Sequence, residues 1–424
     1  MNSTVSYETF QGISIQDTVQ IPADQARFGL PGEHGMIPVS ESLLSKHVLL
    51  LGAIGSGKTN VFNHFIRNIR GSMNSNDIMI IFDPKGDYYE KFYRDGDIVI
   101  SNDSRCNAYW NIFNEVRTDS HIEENVYEIS NFLFKDKIKK SSNPFFPSAA
   151  KDIFAALMLY VIRNKFEKGM NNLALRRNID SKTEQDFREF FSHFTDLKGI
   201  NSYIGEDAKG QTQGVMSEFR QTAREVFIGN FNQIGDFSIR QAVKNKGNKV
   251  IFIEYDLSVG KTLAPVYSLL LDLAIKEALC RKEDEGNVYF VLDEFRLMSA
   301  LDHMDNGINF GRSLGAKFIL GLQNVEQIYD VYGEYAGRSI LSGCSTLISF
   351  FVVDQASRDL IKGRSGNNLR KISYMSVVQS RGIMEQVVNG SAIEDWEISR
   401  LPIGGAIVQY LNYPPFFFQF KLFR

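Results

Sequence analysis

The chain has 424 residues, is 43% hydrophobic and carries a formal charge of −3. That is enough apolar material for two or three cores, and it excludes both a disordered chain and a protein that is basic throughout. Cys106, Cys280 and Cys344 form no CxxC pair, which excludes a sequence-evident zinc site or disulfide framework, fits a reducing compartment and reads all three as core residues.

Residues 1–45 form an N-terminal segment in which Glu8, Asp17, Asp24 and Glu33 are scattered among polar residues. It contains no run resembling a signal peptide or spanning helix, so a cytoplasmic chain without its own membrane anchor is expected. Short apolar runs then recur at His47–Leu51, Ile78–Phe82 and Ile98–Ile100, and again at Val250–Glu254, Val288–Leu292, Phe318–Leu322 and Leu347–Val352. Continuous rather than alternating apolar character marks strands covered on both faces, which predicts an α/β fold with a mainly parallel sheet.

Between Asp119 and Gly235 the strand signal stops. Helical spacing replaces it at Ile122, Val126, Ile129 and Leu133, at Ile153, Leu157 and Tyr160, and at Phe187, Phe190, Phe191 and Phe194. The expected organisation is therefore a nucleotide-binding domain over 46–118 and 236–424, interrupted by an all-helical domain over 119–235.

Gly52-Ala53-Ile54-Gly55-Ser56-Gly57-Lys58-Thr59 follows the first apolar run and precedes the helical stretch Asn60–Ile69. Glycines let backbone N–H groups turn toward phosphates and the helix N-terminus adds positive potential, so Gly52, Gly55, Ser56 and Gly57 read as a phosphate loop for ATP. Lys58 would meet the β- and γ-phosphates and Thr59 would hold Mg²⁺. Chance matches to this pattern number on the order of 0.02 in such a chain. A second Gly260-Lys261-Thr262 has Tyr255 where the loop needs glycine and reads as a loop and helix start.

Val288–Leu292 ends in Asp293-Glu294, where Asp293 would bind Mg²⁺ through water and Glu294 would polarise the attacking water. Gln323 ends the next apolar run, and parallel strands deliver their C-terminal ends to one edge, so it is a candidate γ-phosphate sensor. Arg312, by its residue type alone, reads as a surface helix arginine. Lys362, Arg364, Arg370 and Lys371, with Lys135, Lys137, Lys139 and Lys140, are the candidate DNA contacts.

These segments, with Phe82-Asp83-Pro84-Lys85-Gly86-Asp87, Trp110-Asn111, Phe237-Ser238-Ile239-Arg240, Gly315–Asn324, Arg358–Gly366 and Leu401-Pro402-Ile403-Gly404, resemble the type IV secretion coupling proteins, the TraD/TraG/TrwB group of DNA pumps. The resemblance implies a RecA-like P-loop ATPase domain interrupted by an all-α domain, assembled as a ring of six with DNA in its pore. It implies that Arg312 is an arginine finger reaching a neighbour's nucleotide, and that Gln323 couples hydrolysis to movement. It also implies a relaxase or other protein cargo met by the helical segment. A partner would supply the membrane anchor and hold the chain at the inner face of the membrane.

Soluble HerA/FtsK-type motors in DNA processing or in defence against mobile elements share that fold and are the alternative. A docking ATPase, whose nucleotide only switches affinity for a protein, is a further class. A small-molecule phosphotransferase ranks last, because no acceptor pocket or closing lid is legible.

Overall fold

The computed structural model describes residues 6–17, 21, 26–117, 121–165, 170–255, 260–280, 282, 285–375, 383–410 and 412–424. In chain order the strands are β1 (Ser6–Gly12), β2 (Ala26–Gly32), β3 (Gly35–Ser40), β4 (Val48–Leu51), β5 (Ile78–Asp83), β6 (Ile98–Ile100) and β7 (Lys249–Glu254). They continue with β8 (Val288–Leu292), β9 (Ala316–Leu322), β10 (Thr346–Ser349), β11 (Asn367–Met375), β12 (Ile383–Ser391), β13 (Gly405–Gln409) and β14 (Phe416–Gln419). The seven apolar runs of the sequence correspond to β4 to β10. The chain divides into two compact units, one of residues 1–73, 289–296 and 308–424, the other of 74–288 and 297–307.

In the first unit the strand order is β14-β13-β10-β4-β9-β8. β4 pairs in parallel with β10 and with β9, while β13 and β14 close the edge antiparallel. Val48–Leu51 and Leu347 are fully buried, as strands covered on both faces must be. The helix Lys58–Ser72 follows β4 and buries Val61, Phe62, Phe65, Ile66 and Ile69, an apolar stripe at helical spacing. A separate antiparallel sheet, β1-β11-β12, and the hairpin β2-β3 complete the unit.

In the second unit β5, β7 and β6 run parallel in that order, with Asp83 opposite Glu254 at their ends. Its helices include Ile122–Lys140, Phe145–Arg163, Asn172–Ser181, Glu184–Ser192 and Lys209–Val226. Among the described residues of 119–235 none lies in a strand. The two ends of this helical stretch are tied together: Asn111 N–H donates to the Phe237 carbonyl and Phe237 N–H to the Tyr109 carbonyl, at 3.0 and 3.1 Å.

Beneath that tie Glu115 is fully buried and accepts from Trp110 Nε1, Ser238 Oγ and Ile239 N–H at 2.8–3.0 Å. Burial pushes its carboxyl up despite these donors. Trp110-Asn111 and Phe237–Arg240 therefore act as the neck of the helical segment. Phe145–Arg163 is long and apolar enough to cross a membrane, and 67% of its apolar window is buried inside the protein. Of the cysteines only Cys344 is buried; Cys106 is half-buried and Cys280, closing a helix, is exposed, which corrects the expectation of three core thiols.

Candidate active site

The phosphate loop leaves β4 at Gly52, where a Cβ would lie 2.6 Å from that of Phe350 and 2.7 Å from Ser56 Oγ. Only glycine lets the loop fold so closely over β10. Gly57 has φ +115° and directly precedes the helix, whose N-terminus carries no side-chain cap. A helix N-terminus that follows a glycine turn is the arrangement that receives an anion.

Lys58 is 7% exposed, and its ammonium donates to the carbonyls of Gly52 and Ala53. Ser56 Oγ is enclosed without a hydrogen-bond partner, while Thr59 is exposed at the first helical turn. An uncapped helix end, an orphaned hydroxyl and an ammonium folded back on loop carbonyls are the donor set that a polyphosphate would satisfy.

β9 lies between β4 and β8, so Gln323 emerges between the phosphate loop and Asp293-Glu294. Asp293 is 8% exposed and its Oδ1 accepts from Glu294 N–H at 3.0 Å. Gly321, which sequence reasoning missed, makes room for it: a Cβ there would stand 2.8 Å from Asp293 Oδ1 and from the Phe62 ring. Glu294 has φ +55°, a left-handed conformation that costs about 1–3 kcal/mol outside glycine and gathers at functional positions. Its two carboxylate oxygens take hydrogen bonds from Gln323 Nε2 at 2.6 and 2.7 Å.

Arg312 is exposed in a short 3₁₀ turn, Gly311–Leu314, before β9. β9 is seven residues long, about 23 Å at strand rise, so Arg312 stands at the sheet edge opposite the phosphate loop of its own chain. His47, at the start of β4, holds this turn from both sides: Phe318 N–H donates to Nδ1 at 3.2 Å, and Nε2 is 3.0 Å from the Ile308 carbonyl. Because an N–H can only donate, the proton sits on Nε2. Burial lowers the imidazole to about 4 and keeps it neutral.

Most of the candidate DNA contacts are engaged within the fold. Lys362 pairs with Asp395 at 3.0 Å, Arg370 with Glu394 at 3.0 Å and Lys371 with Glu385 at 2.7 Å. Arg364 donates to the carbonyls of Cys344 and Leu341. Lys135 and Lys137 pair with Asp302 and Glu225 at 2.9 and 2.8 Å. Lys139 and Lys140 are exposed at the end of their helix.

A second polar cluster was not legible. Asp83, at the end of β5, accepts from Tyr88 and Tyr89 N–H at 2.9 Å through Oδ2. Arg105 reaches both Asp103, at 2.6 Å, and Glu254, at 3.0 Å. Gly86 leaves the space for that guanidinium. Glu254 is 3% exposed, and burial pushes it up to about 7 although Arg105 opposes the shift.

A parallel sheet with a phosphate loop after one strand, an Asp-Glu pair two strands away and a glutamine on the strand between them defines a RecA-like P-loop nucleotide-binding fold. Residues 31–389 match the family model for the type IV secretion-system coupling protein DNA-binding domain, and the chain belongs to that family.

It is 24% identical to coupling protein TraD of Escherichia coli K12 over 74% of this chain and 43% of TraD. To the coupling protein VirD4 of Bartonella henselae it is 22% identical, over 68% and 46%. The chain thus spans less than half the length of these relatives. Unbound TrwBdeltaN70 superposes with a TM-score of 0.76 at 20% identity, covering 98% of this chain and 94% of that one. TrwB with the ATP analogue ADPNP gives 0.75 at 20%, covering 98% and 95%. TrwB with ADP and Mg²⁺ gives 0.71 at 21%, covering 92% and 88%.

Proposed function

We propose that this chain is the ATP-hydrolysing motor of a coupling protein, moving DNA or a DNA–protein complex as a ring with nucleotide at each subunit interface. The observation that carries the reading is the Glu294–Gln323 contact, at the ends of β8 and β9 on the same sheet edge as the phosphate loop. Lys58 would leave its carbonyl partners for the β- and γ-phosphates, and Thr59 and Asp293 would hold Mg²⁺, whose charge offsets that developing on the phosphate. Glu294 would accept a proton from the attacking water once the γ-phosphate draws Gln323 away.

Arg312, on the far edge of its own sheet, would serve a neighbour's nucleotide, so lone subunits hydrolyse slowly. The TrwB complexes with ADPNP and with ADP and Mg²⁺ support ATP and Mg²⁺ as the ligands here. Cargo such as a relaxase would meet the helical domain of 119–235. An anchoring partner would hold the ring at the inner face of the membrane.

The test is the steady-state ATPase rate of wild type and Glu294→Gln with no DNA, single-stranded DNA and duplex DNA, at two salt concentrations. A several-fold, salt-sensitive stimulation that Glu294→Gln abolishes is expected, since translocases grip the phosphate backbone. Hydrolysis indifferent to both DNA forms would overturn the motor reading and favour a nucleotide-switched docking protein.

A further inference from the structure

The catalytic side chains fix which way a nucleotide runs. Asp293, Glu294 and Gln323 stand on the β9 and β8 side of β4, so a γ-phosphate presented to them sends the α-phosphate and nucleoside the other way, over β10 toward β13 and β14. On that side Leu401–Gly404 abuts the phosphate loop. Gly404 N–H donates to the Ser56 carbonyl at 2.9 Å, and a Cβ on Gly57 would lie 3.0 Å from Gly404 Cα.

The stretch after β14 returns to the same place. Phe420 N–H donates to the Gly404 carbonyl at 2.9 Å. Asn60, the residue after Thr59, then clamps the chain, donating to the Lys421 carbonyl at 2.9 Å and accepting from Phe423 N–H at 2.7 Å. Two aliphatic side chains on these segments, Ile403 and Leu422, are 80% and 74% exposed.

We propose that Ile403 and Leu422 form the ledge on which the purine base of the bound nucleoside triphosphate rests, with Asn60 holding the ledge to the phosphate loop. This rests on the reading of the loop as a nucleoside triphosphate site. Aliphatic contact covers the face of a purine without reading its exocyclic groups, so ATP and GTP bind alike.

The test is calorimetric titration of wild type and the Ile403→Ser/Leu422→Ser double variant with ATP, GTP and inorganic tripolyphosphate. Losing the apolar contact should weaken ATP and GTP about ten-fold each, while tripolyphosphate binds both proteins equally and so reports an intact loop. Unchanged nucleotide affinity would overturn the ledge, as would equal weakening of tripolyphosphate. Wild type binding tripolyphosphate but no nucleotide would overturn it as well. Wild type binding none of the three would bring down the nucleotide reading itself.

Discussion

Gln323 Nε2 lies 2.6 and 2.7 Å from the two carboxylate oxygens of Glu294, so the end of β9 restrains the acid at the end of β8. A neutral amide donates to both carboxylate oxygens, whereas a second carboxylate at that distance would repel them. Gln323→Glu should therefore push Glu294 away from the attacking water and lower the ATPase rate about ten-fold. Steady-state rates of the two proteins decide it, and an unchanged rate would show that Gln323 does not restrain Glu294.

Lys58 and Glu294 should fail in different ways. Lys58→Ala removes a charge-assisted contact and should weaken ATP binding by about ten- to a hundred-fold, with turnover lost. Glu294→Gln keeps the volume and should bind ATP as wild type does while turning over at least about a hundred-fold more slowly. Equilibrium binding and single-turnover rates on the same preparations separate the two, and a Glu294→Gln variant that also failed to bind would argue for a structural carboxylate.

Arg312 gives a prediction that only an assembled ring can meet. Arg312→Ala and Glu294→Gln should each be inactive alone while binding nucleotide. In an equal mixture about one quarter of interfaces would join an intact Glu294 to a neighbour's intact Arg312, and activity should return in that proportion. Full activity of Arg312→Ala alone would refute the finger, as would a mixture that exchanges subunits and stays silent.

The groups assigned to the chemistry were legible because each is specified by its own neighbours in the chain: the glycines of 52–59, the acids after β8, the glutamine after β9. Gly321 and His47 were not, since their roles depend on Asp293 Oδ1 and on the peptide groups at Ile308 and Phe318, contacts that no local pattern encodes. The buried parallel strands announced themselves as unbroken apolar runs. β2, which contains Gly29, Pro31 and Gly32, and the half-exposed ladder of β11 and β12 have no such signature. The ion pairs of the basic residues were hidden for a related reason: a cluster in sequence does not show that Lys362, Arg370 and Lys371 each have an acid across the fold.

Glu254 makes the stability of its unit depend on pH in a direction opposite to the usual salt-bridged acid. Its folded value of about 7 lies above the ordinary 4.5, so between those values the folded chain holds a proton that the unfolded chain has released. Stability from this group is complete below about pH 4.5 and is lost as pH rises through about 7, a swing of about 3 kcal/mol. Glu254→Gln preserves the shape and removes the titration, so its melting temperature should fall less than wild type's between about pH 5 and about pH 8. Arg105→Leu removes a cation paired with the carboxylate and should steepen the wild-type fall. Thermal melts of the three proteins across that range are the measurement. Parallel curves for wild type and Glu254→Gln would mean that Arg105 keeps the carboxylate ionised and that its charge, rather than burial, governs the Asp83–Glu254 edge.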